Sequence, residues 1–208
     1  MLESEDATAE VIPNMTVFIS LLRAVNVGGH NLIKMDALRK LYETLQLRDV
    51  ATYVQSGNVV FRSSEPDSVR LAMRIEGAIE RTFGIRPVVI LRTASELRSV
   101  VARNPFASRP DLDPRKVLAT FLAVQPAPEA CAKALALQTG PEELHIDGSE
   151  LFIYFPNGFS ESKLSMAAVD RALRISGTGR NWNTVTKLLA MAEKLEGNRP
   201  VSKHTSAG

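Results

Sequence analysis

Between Arg23 and Lys34 the chain (RAVNVGGHNLIK) sets an arginine, two asparagines, a histidine, a lysine and a glycine pair directly behind an apolar strand. Adjacent glycines reach backbone angles closed to other residues, so their N–H groups can turn toward a bound anion without side chains in the way. The chemistry this favours is capture of a phosphate or carboxylate. Two further segments carry the same signature. Gln55 to Asn58 (QSGN) is a short polar turn. TGRNWNTV, starting at Thr178, reads as the opening of the last helix, where Asn181 or Asn183 caps and free N–H groups beside Arg180 suit an anion. The candidate ligand-binding residues are Arg23, Asn26, Gly28, Gly29, Lys34, Gln55, Ser56, Asn58, Arg180, Asn181 and Thr184.

Bond-making chemistry finds less support. His30 is the one histidine in these segments, and Asp36 is the nearest carboxylate in sequence that could orient it as a base. Ser56 has no evident activating partner, so no catalytic residue is assigned. The chain carries no GxGxxG after a strand, no GxxxxGK[ST], no HExxH and no GxSxG. His145 and His204 are far from His30 in sequence and Cys131 is the only cysteine, so neither a metal site nor a disulfide framework is expected, nor any cofactor.

The elements that must position these residues follow from periodicity. Thr16 to Arg23 reads as a strand, and Leu38, Leu41, Tyr42 and Leu45 mark one face of a helix. Val50 to Gln55 and Asn58 to Arg62 read as a hairpin turning at Ser56-Gly57. A helix over 67–83 and a strand over Arg86 to Leu91 complete a βαββαβ unit. Thr93 with Glu96 forms a capping box for a helix to about Arg103. Val117 to Val124, a helix from Pro128, strands at Leu144 to Ile146 and Leu151 to Phe155 about Asp147-Gly148, a helix over Leu164 to Leu173 and a terminal helix repeat the pattern less completely. The expected fold is α+β, with two ferredoxin-like sandwich units: one over 15–93, the second, less complete, over 94–196. Residues 1–14 and 197–208 are expected to be disordered ends.

This topology joins two of the motifs. In a βαββαβ sandwich the first two strands run parallel, so the loop after the first and the hairpin turn after the second emerge at the same end of the sheet. Arg23 to Lys34 and Gln55 to Asn58 should be neighbours. Turn geometry alone would also select Gly57 and Asn58. A loop of this length between strand and helix is less easily explained that way.

In this order and spacing, RAVNVGGHNLIKM, TYVQSGNVVF and TGRNWNTV resemble the bacterial family of unknown function DUF1697. The resemblance spans residues 15 to 195 and implies a pair of ferredoxin-like domains. Its characteristic positions fall on Arg23, Asn26, Gly28, Gly29, Gln55, Ser56, Gly57, Asn58, Arg180, Asn181, Trp182 and Thr184. It brings no established activity with it.

Charge and composition set the surroundings. Residues 1–14 hold Glu3, Glu5, Asp6 and Glu10 and no Lys or Arg, so the remaining chain has 25 basic against 19 acidic residues, a net +6. That favours anionic partners, although no run of five basic residues occurs. No apolar stretch approaches the roughly 18 residues of a membrane span, and the acidic start is unlike a secretory signal. A cytoplasmic protein without membrane contact is expected. The function expected is binding of a small anionic molecule in a pocket formed by the three motifs. RNA binding on the basic surface, with Phe152 and Tyr154 as stacking residues, is the alternative from another class. A scaffold or homodimer using a free sheet edge is the third.

Overall fold

The first strand, β1 (Thr16–Leu22, TVFISLL), is buried at every position after the first. Such a strand has no solvent face and belongs in the middle of a sheet covered on both sides. In the computed structural model, which describes residues 15–198, that is where it lies. Of the expected disordered ends 1–14 and 197–208, Gly197 is instead the last residue of the terminal helix and Asn198 its cap, and the rest falls outside the described residues.

After β1 come α1 (Met35–Thr44), β2 (Arg48–Tyr53), β3 (Asn58–Ser63), α2 (Ser68–Phe83) and β4 (Val89–Thr93). The sheet order is β2-β3-β1-β4, antiparallel throughout. Alternation assigns the two faces of β1. Phe18 and Leu22 join Val59 and Phe61 under Leu38 and Tyr42 of α1 and Leu71, Ile75 and Ile79 of α2. The one polar pair in that layer is satisfied internally, Tyr42 Oη lying 2.8 Å from Ser20 Oγ, and burial pushes the tyrosine pKa up. Asp67 caps α2 by accepting from the Val69 and Arg70 amides, and Gly84 closes it in the left-handed region.

The second unit repeats the order. It comprises α3 (Ala94–Ala102), β5 (Val117–Leu122), α4 (Pro128–Leu135), β6 (Glu143–Asp147), β7 (Glu150–Tyr154), α5 (Met166–Leu173), β8 (Gly177–Asn181) and α6 (Trp182–Gly197). The sheet β6-β7-β5-β8 has the same connectivity as the first, so this unit also has its four strands. The strand that the sequence hides is β8, since Gly177 to Asn181 reads as a helix approach. Packing explains the disguise. A Cβ on Gly177 would sit 2.8 Å from Leu122 Cδ2, and one on Gly179 3.2 Å from Leu118 Cδ2. The side chains of β5 lean over β8, and the β-branched residues that normally betray a strand do not fit there.

Val17, Ile19 and Leu21, on the other face of β1, share a core with Ala119 and Phe121 of β5, Phe152 and Tyr154 of β7, and residues of α3 and α6. A third core lies between the second sheet and α4 and α5. One ion pair and one arginine-to-carbonyl hydrogen bond tie the units at the edges of the shared core. Glu150, with a side chain only 3% exposed, receives Arg92 from β4 at 2.9 Å and Arg103 from the end of α3 at 3.0 Å. Arg62 of β3 bonds Asp49 at 2.8 Å and donates to the Leu195 carbonyl in α6.

Gly57 illustrates how tightly the β2–β3 turn sits on β1. Its φ is +71°, and a Cβ there would be 2.9 Å from Leu22 Cβ and 3.4 Å from Val25 Cβ. Left-handed backbone costs an L-residue about 1–2 kcal/mol, and overpacking adds to it. Gly57→Ala should lower stability by about 2–3 kcal/mol, read as a smaller urea midpoint at unchanged slope. A loss below about 0.5 kcal/mol would show that the turn rearranges freely.

Candidate functional site

Leaving β1, the chain makes a small hairpin of its own. Ala24, Asn26 and Asn31 take φ of +56°, +56° and +52°, and Gly28 and Gly29 take +59° and +78°. The His30 amide donates to the Val27 carbonyl at 3.0 Å and the Asn26 amide to the Asn31 carbonyl at 3.2 Å. Positive φ at both central residues makes Val27–His30 a type I′ turn, for which paired glycines are well suited. The glycine pair is thus the exposed tip of a hairpin, with Val27, His30 and Leu32 also exposed.

Asparagines hold this hairpin down. Asn26 Nδ2 donates to the carbonyls of Ile33 at 2.9 Å and Gln55 at 2.7 Å, while its Oδ1 accepts the Ile33 amide at 2.8 Å. Asn31 Nδ2 bonds the Ala24 carbonyl at 2.9 Å. The Leu22 amide meets the Gly57 carbonyl at 2.9 Å. The loop after β1 and the turn after β2 therefore lie side by side, which the parallel course of those strands requires.

Behind the turn sits Arg180, on the edge strand β8, and its role is internal. Its Nε donates to Asn58 Oδ1. Its Nη1 reaches Thr178 Oγ1 at 2.7 Å and the Gly179 carbonyl at 2.8 Å, and its Nη2 the carbonyls of Leu22 at 2.8 Å, Ser56 at 3.0 Å and Gly57 at 3.4 Å. The guanidinium has no nitrogen left over for a ligand. It is also buried without a carboxylate, and that burial pushes its pKa down to about 10, so it stays cationic at neutral pH. Asn58 is fully buried and donates to the Tyr53 carbonyl at 2.9 Å and Ser56 Oγ at 3.0 Å. Asn181 caps α6 through the Asn183 amide at 3.0 Å and ties the Arg115 carbonyl at 2.7 Å. Thr184 lies in the first turn of α6, and Lys34 and Gln55 point to solvent.

The open cleft at this end is formed by a subset of these residues. About 420 Å³ is enclosed by Arg23, Ala24 and Asn31 of the hairpin with Ile85, Arg86, Pro87 and Val88, which lead into β4. Arg23 reaches Asp170 of α5 at 2.8 Å, both about one-third exposed. Arg86 reaches Glu80 at 3.3 Å and Glu76 at 3.9 Å. Arg86 was not legible as a site residue, because a lone arginine before a proline carries no motif. Its proximity follows from pairing, since the Arg23 amide bonds the Val88 carbonyl at 2.9 Å. Neither glycine lines this cleft. Among the described residues no group of three or more His, Cys, Asp and Glu is placed to hold a metal ion, and no helix is long and apolar enough to cross a membrane. Phe152 and Tyr154 are both buried in the shared core.

Comparison with known proteins agrees with this architecture. A conserved bacterial protein from Streptococcus pneumoniae has a solved structure that is similar in fold, with a TM-score of 0.62 and 23% identity over 86% of this chain and 99% of that one. No curated protein matches the chain. The family model described as protein of unknown function (DUF1697) matches residues 15–152, which include the hairpin, the β2–β3 turn and Arg86, while β8 and Arg180 lie beyond it. Over that span, two-thirds of its length, the chain belongs to the DUF1697 family.

Proposed function

We propose that the protein binds a small phosphate- or carboxylate-bearing molecule in the Arg23–Arg86 cleft. The observation that carries this reading is the meeting of two partly exposed guanidiniums with Asn31 around one cleft of ligand size. Asp170 and Glu80, their nearest present partners, are partly exposed, and such pairs contribute only about 0–1 kcal/mol each. A ligand bearing two negative charges displaces Asp170 and Glu80 at small cost. Arg180 adds a fixed positive charge one residue along from Arg23, bonded to the Leu22 carbonyl and neutralised by no carboxylate of its own. In this arrangement Asn26, Ser56, Asn58 and Arg180 build the support, while Arg23, Asn31 and Arg86 meet the ligand. The Gly28–Gly29 tip, Lys34 and Gln55 are not part of the cleft lining.

A thermal-shift screen with inorganic phosphate, sugar phosphates, nucleotides and short oligonucleotides tests the reading, with titrations on any compound that stabilises. Arg23→Ala and Arg86→Ala should each weaken a genuine ligand by about tenfold or more, as loss of a charge-assisted contact requires. Binding that survives both substitutions places the ligand elsewhere. Stabilisation by oligonucleotides alone, falling steeply with salt, would replace this reading with nucleic-acid binding.

A further inference from the structure

β4 is an edge strand, and its outer side opens into a cleft of about 720 Å³ between α2 and the second unit. The Arg23 amide bonds the Val88 carbonyl, so in the register with β1 the backbone groups of Val88, Ile90 and Arg92 face β1, and those of Val89, Leu91 and Thr93 face the cleft. Side chains already engage three of the outward groups. The Val89 amide donates to Glu76 Oε1 at 2.9 Å, the Leu91 carbonyl accepts from Arg92 Nη1 at 2.9 Å, and the Thr93 amide donates to Glu96 Oε2 at 2.7 Å. Between them the Val89 carbonyl and the Leu91 amide have no hydrogen-bond partner among the described residues. The other edges are guarded in ways that β4 is not: β2 is broken by a bulge between Arg48 and Ala51, β6 carries Glu143, His145 and Asp147, and β8 is tied to the first unit through Arg180.

The walls are apolar where the edge is free. Val69 and Met73 of α2 and Val124 after β5 are 69%, 59% and 59% exposed, and all three line this cleft. Alternation sends the side chains of an added strand to the two walls in turn, those beside Val89 and Leu91 toward α2 and the one beside Ile90 toward the second unit. The charge left over is negative. Arg92 and Arg103 are both taken up by Glu150, and Arg103 by Asp147 as well. Glu76 shares Arg86 with Glu80, at 3.9 and 3.3 Å, and Glu96 has no cation within 4 Å among the described residues. Glu76 at Val89 and Glu96 at Thr93 thus bracket the free stretch, their anchoring amides about 13 Å apart along the strand.

We propose that this cleft binds an extended peptide segment of a partner protein, added beside β4 and parallel to it, with three apolar residues opposite 89–91 and Lys or Arg on either side of them to meet Glu76 and Glu96. The free groups select the parallel direction. One residue beside Ile90 donates its N–H to the Val89 carbonyl and accepts the Leu91 N–H, which is the parallel pattern. An antiparallel strand, including β4 of a second copy across a two-fold axis normal to the sheet, calls in addition on the Val89 N–H and the Leu91 carbonyl, which Glu76 and Arg92 hold. Main-chain bonds supply affinity, and the two apolar walls and two carboxylates supply selectivity.

The test pans random heptapeptides against the full chain and titrates the enriched peptides, resynthesised with blocked ends, by calorimetry. Enriched sequences should hold an apolar triplet flanked by Lys or Arg. N-methylation of the middle apolar residue removes the N–H meant for Val89 and should weaken binding about tenfold or more, whereas N-methylation of the next residue, whose N–H points away from β4, should change it by less than about threefold. Met73→Asp and Val124→Asp, both at exposed positions, should each weaken binding about tenfold, and Glu96→Gln, which keeps an acceptor for the Thr93 amide, by about threefold. No enrichment, equal effects of the two N-methylations, or full affinity in Met73→Asp and Val124→Asp overturns the proposal. A dimer of the chain alone that Met73→Asp abolishes in sedimentation overturns it too, because the edge then belongs to a second copy.

Discussion

Arg180→Met should lower the free energy of unfolding by about 4 kcal/mol, the value expected when a buried charged donor is removed from partners that stay behind. The substitution takes the guanidinium from six oxygens, those of Leu22, Ser56, Gly57, Gly179, Asn58 and Thr178, of which Gly57 keeps the Leu22 amide and Leu22 keeps the Thr178 hydroxyl as donors. Each buried acceptor without a donor costs about 1–3 kcal/mol before relaxation or water entry offsets part of it. Arg180→Lys should recover less than half, because an ammonium offers three donors from one point while these acceptors surround a planar fork. Urea unfolding followed by Trp182 fluorescence, the sole tryptophan, and by circular dichroism measures the loss. A change below about 1 kcal/mol would mean that these bonds are replaced by water at little cost.

The second large effect lies at the Arg92–Glu150–Arg103 contact. Glu150→Ala should cost about 3–5 kcal/mol, since it strands the Arg92 guanidinium, 11% exposed, without a countercharge. Arg103 is 39% exposed and can turn to Asp147, already 2.7 Å away, so it contributes little to the loss. A double variant with Arg92→Met should therefore be more stable than the sum of the two single changes. Strict additivity in that cycle would show that the two side chains do not depend on one another.

Local signals in the sequence led directly to local structure. The Thr93–Glu96 capping box is formed in full, Thr93 Oγ1 accepting the Glu96 amide at 3.1 Å and Glu96 Oε2 the Thr93 amide at 2.7 Å. The adjacency of the β1 loop and the β2–β3 turn was equally readable, because strand direction decides it. What stayed hidden depended on distant residues. The five-residue β8 has glycine at 177 and 179 because Leu122 and Leu118 occupy the space of side chains there. Arg180 was read as a charge at a helix start, whereas its burial is created by Leu22 and the 56–58 turn, more than 120 positions earlier. Arg86 enters the cleft only because β4 pairs with β1.

The placement of α6 bears on how the chain matures during synthesis. Val185, Leu188, Leu189 and Ala192 belong to the core that covers Val17, Ile19 and Leu21 of β1, so, among the described elements, the first strand made waits for the last helix made. A nascent chain that has emerged through β4 holds its α1/α2 layer but presents the opposite face of its sheet uncovered. Synthesis at roughly 5–20 residues per second keeps that apolar face open for several seconds, the interval in which a chaperone or a neighbouring nascent chain has access to it.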